Sequence, residues 1–131
     1  MKKIYESGEN YLETILMLKK KNSFVRSIDI AHELGFSKPS VSRAVNILKN
    51  EHLIEIDKFG NIELTKTGLK KAESVLDRHL TITDFLLNTL GVSAENAEVD
   101  ACRIEHIISD ETYNKLKALK MKLEKKWKLP Y

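Results

Sequence analysis

Cys102, Glu105 and His106 stand three and four residues apart in the run Cys102-Arg103-Ile104-Glu105-His106. A helix would turn this thiol, carboxylate and imidazole to one patch. Each is a ligand for a first-row divalent cation, whereas Arg103 and Ile104 would point elsewhere. Five residues thus hold most of a metal site. Cys102 is the chain's one cysteine, which excludes an internal disulfide and leaves a small buried hydrophobe, a reactive thiol or a metal ligand. Another histidine, His79, follows Asp77-Arg78 in what reads as a long helix, and Asn10 and Glu13 lie three apart on an opening helix. Convergence of these three helices would bring oxygen, nitrogen and sulfur donors to one place.

A second constellation suits nucleic acid. In Ser37-Lys38-Pro39-Ser40-Val41-Ser42-Arg43, Ser37 is an N-cap candidate and Pro39 is tolerated in the first helical turn. Ser40, Ser42 and Arg43 can hydrogen-bond bases or phosphates, and Pro39 can pack on a thymine methyl. Arg26, Lys38 and Lys58, with Lys66, fall where a DNA-reading lobe meets the phosphate backbone, so affinity should depend on salt. Serines after a turn also serve as caps alone, and small lobes of this kind also bind proteins.

The elements that must position these groups follow from periodicity. Tyr11, Leu12, Ile15, Leu16 and Leu18 recur near a 3.6 period, which predicts a helix from about residue 7 to residue 21. Ser27 can cap a short helix that Gly35 ends, and a third runs from Lys38 to Glu51 with Val41, Ala44, Val45 and Leu48 on its buried stripe. Two helices joined by a tight Gly-containing turn predict a helix-turn-helix. Residues 52–56 and 61–64 alternate apolar with polar around Asp57-Lys58-Phe59-Gly60, a hairpin that forms the wing of a winged helix.

Beyond the wing, a long helix is expected from about residue 66 to residue 90, ended by Gly91. Its Leu76, Leu80, Phe85 and Leu86 need a partner outside the small lobe. Ser93 starts a helix reaching about Ile108, and Ser109-Asp110-Glu111 caps a last one to about Lys126. The fold class is therefore mostly α with a small β-hairpin: an N-terminal winged helix-turn-helix, residues 1–72, and a C-terminal helical lobe, residues 73–131.

Composition sets the outer limits. The 131 residues, 42% hydrophobic, suit one domain or two small lobes. Lys and Arg total 22 against 19 acidic residues, and the net charge of +3 does not diagnose nucleic-acid binding. No apolar run approaches the roughly 20 residues of a membrane span, and the start lacks the apolar core of a signal peptide, so a cytoplasmic protein is expected.

The runs Glu9-Asn10-Tyr11-Leu12-Glu13-Thr14-Ile15, Ser37-Lys38-Pro39-Ser40-Val41-Ser42, Leu64-Thr65-Lys66-Thr67-Gly68, Arg78-His79 and residues 101–111 together resemble the diphtheria-toxin-repressor and manganese-transport-regulator family of metal-dependent transcriptional repressors. The match runs in order from about residue 6 to residue 119. The resemblance implies a homodimer whose winged helices bind double-stranded operator DNA once each subunit holds Fe(II), Mn(II) or a similar ion. It maps the ligands onto Asn10, Glu13, His79, Cys102, Glu105 and His106, and the helical lobe onto metal binding and dimerisation.

The chain is a hybrid at the positions that bear on metal choice. Iron-type members usually have Met, and manganese-type members Asp, at the position of Asn10. At Cys102 the iron type commonly has Cys and the manganese type Glu. A thiolate favours softer ions, so Fe(II) is expected ahead of Mn(II), with Co(II), Ni(II) or Zn(II) as substitutes. The ancillary site of iron-type members pairs His79 with a Glu and a His at the positions of Thr83 and Glu98. Thr83 is a poor substitute, and Glu98 remains a possible ligand. A two-ion site of the manganese type would instead use Glu13, Glu105, His79 and His106. The end at Leu129-Pro130-Tyr131 matches short members that lack an SH3-like third domain.

Two rival readings remain at this point. One is a metal-independent winged-helix regulator with a vestigial site. The other is a small hydrolase with Cys102 as nucleophile and His79 or His106 as base, for which no oriented third group is evident.

Overall fold

A computed structural model describes the backbone of residues 2–127 and the side chains of residues 8–126. The terminal Leu129-Pro130-Tyr131 lies outside the described residues. Helix α1 (Lys2–Lys21) begins earlier than its apolar pattern suggests. Gly8 lies inside the helix, where it costs about 1 kcal/mol relative to alanine. Tyr11, Leu12, Ile15, Leu16 and Leu18 form the buried face of α1.

Helix α2 (Ser27–Leu34) starts one residue away from its expected cap. Arg26, not Ser27, holds the extended N-cap conformation, and its N–H donates to Asp29 Oδ2 at 2.8 Å. Asp29 therefore does from the first turn what Ser27 was expected to do from the cap. Gly35 ends the helix at φ 68°, a left-handed conformation that glycine adopts without penalty.

In α3 (Lys38–Asn50), Ser37 is the N-cap and its Oγ accepts from Ser40 N at 3.3 Å. Val41, Val45 and Leu48 are buried, while Ala44 is half-buried. The helix stops in a paired arrangement: Leu53 N donates to Leu48 O and His52 N to Lys49 O, both at 3.0 Å. This is a Schellman motif, with His52 at the left-handed position and φ 61°.

Strands β1 (Ile54–Ile56) and β2 (Ile62–Leu64) pair antiparallel, with Ile54 opposite Leu64 and Ile56 opposite Ile62. Asp57 Oδ1 accepts from Phe59 N at 2.8 Å and Asn61 N at 3.0 Å, which closes the turn between them. Helix α4 (Lys66–Asp84) then opens on Thr65, whose Oγ1 donates to His52 O and accepts from Gly68 N. Only glycine fits at position 68, because a Cβ there would lie 1.8 Å from the carbonyl oxygen of Leu53.

The expected single helix to residue 90 changes pitch near its end. After Asp84 the chain forms a π-helical turn, Phe85–Thr89, and Gly91 stops it at φ 74°. Helices α5 (Ala94–Ile107) and α6 (Asp110–Trp127) follow. Ser93 Oγ accepts from Asn96 N and Ser109 Oγ from Thr112 N, so both expected caps form.

The chain divides into two compact units, Met1–Leu76 and Asp77–Tyr131. The core of the first is built from Leu12, Ile15, Ile30, Val41, Leu48 and Ile62 with their neighbours. Leu76 packs against this core, although its pattern called for a partner elsewhere. It sits where α4 is still close enough to the lobe to be covered. In the second unit, Ile82, Ala101 and Tyr113 pack together with Leu86, Ile104 and Ile108 around them. Tyr113 Oη donates to Asp77 Oδ2 at 2.5 Å. That bond, aided by Lys117 and Lys120, holds the Asp77 carboxyl below its ordinary range against the opposing effect of burial. Burial, then Asp77, pushes the phenol of Tyr113 upward.

Candidate functional site

The geometry of the second unit starts from two alanines. Ala97, Ala101 and Glu105 recur every fourth residue on the buried face of α5. Small side chains at the first two let α5 lie close to α4, where Ala101 packs with Ile82. The same stripe carries the Glu105 carboxylate inward, and its side chain is 0% exposed. His79 Nδ1 from α4 lies 3.3 Å from Glu105 Oε2, and His106 Nε2 lies 3.4 Å from Oε1. Cys102, Glu105 and His106 present donor atoms that all lie within 4.8 Å of one another.

Arg78 fixes this packing at the end of α5. Its guanidinium donates to Glu105 O at 3.4 Å and Ile108 O at 3.2 Å, pairs with Asp110, and lies over the Tyr113 ring. It thereby satisfies carbonyls that the last turn of a helix leaves without intrahelical partners.

The donor set fits a divalent transition metal. Neither oxygen of the buried Glu105 carboxylate accepts a hydrogen bond from the described residues, although imidazole nitrogens face both. A buried carboxylate so placed is costly unless its charge is answered. Thiol, carboxylate and two imidazoles are the ligand types that first-row ions take.

His79 also faces outward from this cluster. Its Nε2 lies 2.8 Å from Glu98 Oε1. Thr83, at the position of an ancillary-site ligand in the iron type, donates its hydroxyl to His79 O at 2.7 Å. Asn10 and Glu13 belong to the first unit, on α1, where Glu13 is buried and Asn10 half-buried. The structure thus brings His79, Cys102, Glu105 and His106 together within one unit.

In the first unit Ser37, Lys38, Pro39, Ser40, Ser42 and Arg43 are all exposed along the start of α3. Ser37 is engaged as a cap, its Oγ also donating to Ser40 Oγ at 2.9 Å. Ser42 and Arg43 lie one turn further on. Arg26 is exposed at the start of α2 with its guanidinium 5.0 Å from the Phe24 ring centre. Lys58 sits at the wing turn over Phe59, which is 64% exposed.

Sequence reasoning named Glu98 as a possible metal ligand, not as a hydrogen-bond partner of His79, and passed over Arg78 as the clamp on α5 and Lys19. Lys19 Nζ donates to Ser23 O, Asn61 Oδ1 and Glu63 Oε2. Charge type alone was available as a signal for each, since their partners lie on other elements.

Two family models match consecutive stretches of the chain. The N-terminal DNA-binding domain of iron-dependent repressors covers residues 3–60, and their metal-binding and dimerisation domain covers residues 65–126. The chain belongs to the iron-dependent repressor family. The second stretch contains His79, Cys102, Glu105 and His106. An HTH-type transcriptional regulator of Methanocaldococcus jannaschii is 32% identical over 122 residues, spanning 92% of this chain and 98% of that protein. The transcriptional regulator MntR of Escherichia coli is 38% identical over 104 residues, 79% of this chain and 66% of MntR. Among solved structures, the manganese regulator SloR matches with a TM-score of 0.77 at 32% identity, over 86% of this chain and 52% of SloR. Relative to SloR, therefore, this repressor-family chain spans about half the length. The family consists of metal-dependent transcriptional repressors, not enzymes, and the hydrolase reading of Cys102 falls with that membership.

Proposed function

We propose that this chain is a metal-sensing repressor that binds operator DNA as a homodimer, with residues 1–72 reading DNA and residues 73–131 sensing the ion. The observation that carries the reading is the buried Glu105 carboxylate, faced by His79 and His106 and lying beside Cys102. His79, Cys102, Glu105 and His106 would hold the ion, with Glu13 and Asn10 of α1 completing the set. Glu13 offers a carboxylate; Asn10 offers a neutral carbonyl oxygen, a weaker donor.

A bound divalent cation supplies positive charge that answers Glu105 and the thiolate and holds its ligands at fixed distances. The ligands do the rest. Because α1 carries both ligand candidates and much of the core of the DNA-reading unit, engaging Glu13 limits the positions that unit can take. Two winged helices in a dimer then present their α3 helices at one spacing. Binding would shift the equilibrium only insofar as these ligand side chains are better placed in the DNA-competent state. On α3, Ser42 and Arg43 reach bases or phosphates, while Lys38, Arg26 and Lys58 contact the backbone.

A thiolate ligand at Cys102 favours softer ions and so supports Fe(II) ahead of Mn(II), with Co(II), Ni(II) and Zn(II) as substitutes. The test is fluorescence anisotropy with duplexes enriched from a random pool in the presence of Mn(II) or anaerobic Fe(II). Affinity should rise at least about tenfold with the ion and fall with chelator, and Glu105→Gln should abolish the response. Equal affinity with and without chelation would establish the metal-independent reading instead.

A further inference from the structure

We propose that Glu98 is a positioning residue for His79, an outer carboxylate that selects which imidazole nitrogen faces the metal. The inference rests on the reading of the Glu105 cluster as a metal site. The two nitrogens of His79 have different neighbours: Nδ1 lies 3.3 Å from Glu105 Oε2, and Nε2 lies 2.8 Å from Glu98 Oε1. Of these two contacts, the one with Glu98 is a hydrogen bond and the one with Glu105 is not, and because an ionised carboxylate only accepts, Nε2 carries the hydrogen. Nδ1 is then the nitrogen with which His79 meets an ion beside Glu105. Ligating histidines commonly donate their second N–H to a carboxylate in this way, which fixes the ring and raises its basicity.

The surroundings of Glu98 favour this role over direct ligation. Among the described residues, no group of three metal-binding side chains includes Glu98. Thr83, the neighbour that would have to help, gives its hydroxyl to the carbonyl of His79. The burial is also graded as an outer partner requires: His79 is 12% exposed and Glu98 64% exposed. Glu98 therefore reaches in from the surface of α5, about one helical turn before Cys102 and two before Glu105, to hold a ring whose other edge faces the cluster.

Two variants of the full chain separate orientation from charge. Glu98→Gln keeps an oxygen that accepts from Nε2–H, and Glu98→Leu removes it. Because the side chain is exposed on a helix and both replacements are good helix formers, the fold should tolerate them. Titration with Co(II), followed by calorimetry and absorption, should show Glu98→Leu binding about 10- to 100-fold more weakly with unchanged stoichiometry. Glu98→Gln should stay within about threefold of the parent.

Loss of one Co(II) per chain in Glu98→Leu would make Glu98 a direct ligand and overturn the proposal; so would unchanged affinity. A second readout needs no metal. Nitrogen-15 NMR of the metal-free chain should show hydrogen on His79 Nε2 in the parent and in Glu98→Gln, with that signal changed in Glu98→Leu. Identical spectra in all three overturn the proposal. If the parent binds no Co(II) yet the spectra differ as expected, the metal-sensing reading fails while the link between Glu98 and His79 stands.

Discussion

His52 holds φ 61° at the left-handed position that ends α3, where a side chain costs about 1–2 kcal/mol that glycine avoids. Its two neighbours in the motif, Leu48 and Leu53, are buried, so the hydrophobic contact keeps the turn in place against that strain. Glycine gives back part of the gain through the entropy of the unfolded chain. His52→Gly should therefore stabilise the protein by up to about 1 kcal/mol, read as a higher urea midpoint with an unchanged slope. Ser37, Ser93, Ser109 and Gly35 were legible in the sequence as caps because each acts on backbone within four residues. His52 was not, since nothing in its type marks a left-handed turn. Glu98 was legible only as a possible ligand, because its relation to His79, 19 residues away, needs the packing of α5 on α4.

Lys19 shows how one element fixes another. It lies near the end of α1, and its ammonium reaches Asn61 Oδ1 at 3.2 Å and Glu63 Oε2 at 2.7 Å on the wing. Asn61 Oδ1 accepts in turn from Val25 N at 2.9 Å, so α1, the approach to α2 and β2 share one polar hub. The hydrogen bond from Lys19, ahead of that from Asn61, holds the Glu63 carboxyl below its ordinary value against opposing burial. A depressed carboxyl contributes stability above its unfolded value of about 4.3, and loses it as pH falls through the folded value. With Glu63 55% exposed, water screens the pair and its worth is about 0.2–1 kcal/mol. Lys19→Met should lose that amount at pH 7, and the part owed to Glu63 should shrink as the pH is lowered through the carboxylate range, measured by urea unfolding across that range. The hairpin itself was legible from its alternation, whereas the π-helical turn at Phe85–Thr89 was not. One inserted residue displaces an apolar stripe too little to register in five positions.

At the scale of the molecule, the second unit leaves apolar surface that its own packing does not use. Leu80 and Leu90 are 59% and 60% exposed and Leu87 is 38% exposed, on α4, on the residue that caps its π-helical turn and on that turn respectively. The apolar pattern asked for a partner at Leu80, and the unit covers Leu86 while leaving Leu80 open. Exposed leucines so close in sequence suit an interface between two copies, consistent with the dimerisation domain that the family model describes for residues 65–126. A symmetric interface meets each substitution twice, so Leu87→Glu with Leu90→Glu would place four carboxylates in it. Burying them without partners costs several kcal/mol, enough to raise the dimer dissociation constant at least about 100-fold. Sedimentation velocity at micromolar concentration should then show monomers with unchanged helical circular dichroism, and a variant that remained dimeric would remove this face from the interface. Co(II) binding at the site proposed for His79, Cys102, Glu105 and His106 should survive, because all four belong to a single chain. Duplex binding should fall despite an intact α3, since one winged helix engages half the sites that two present together.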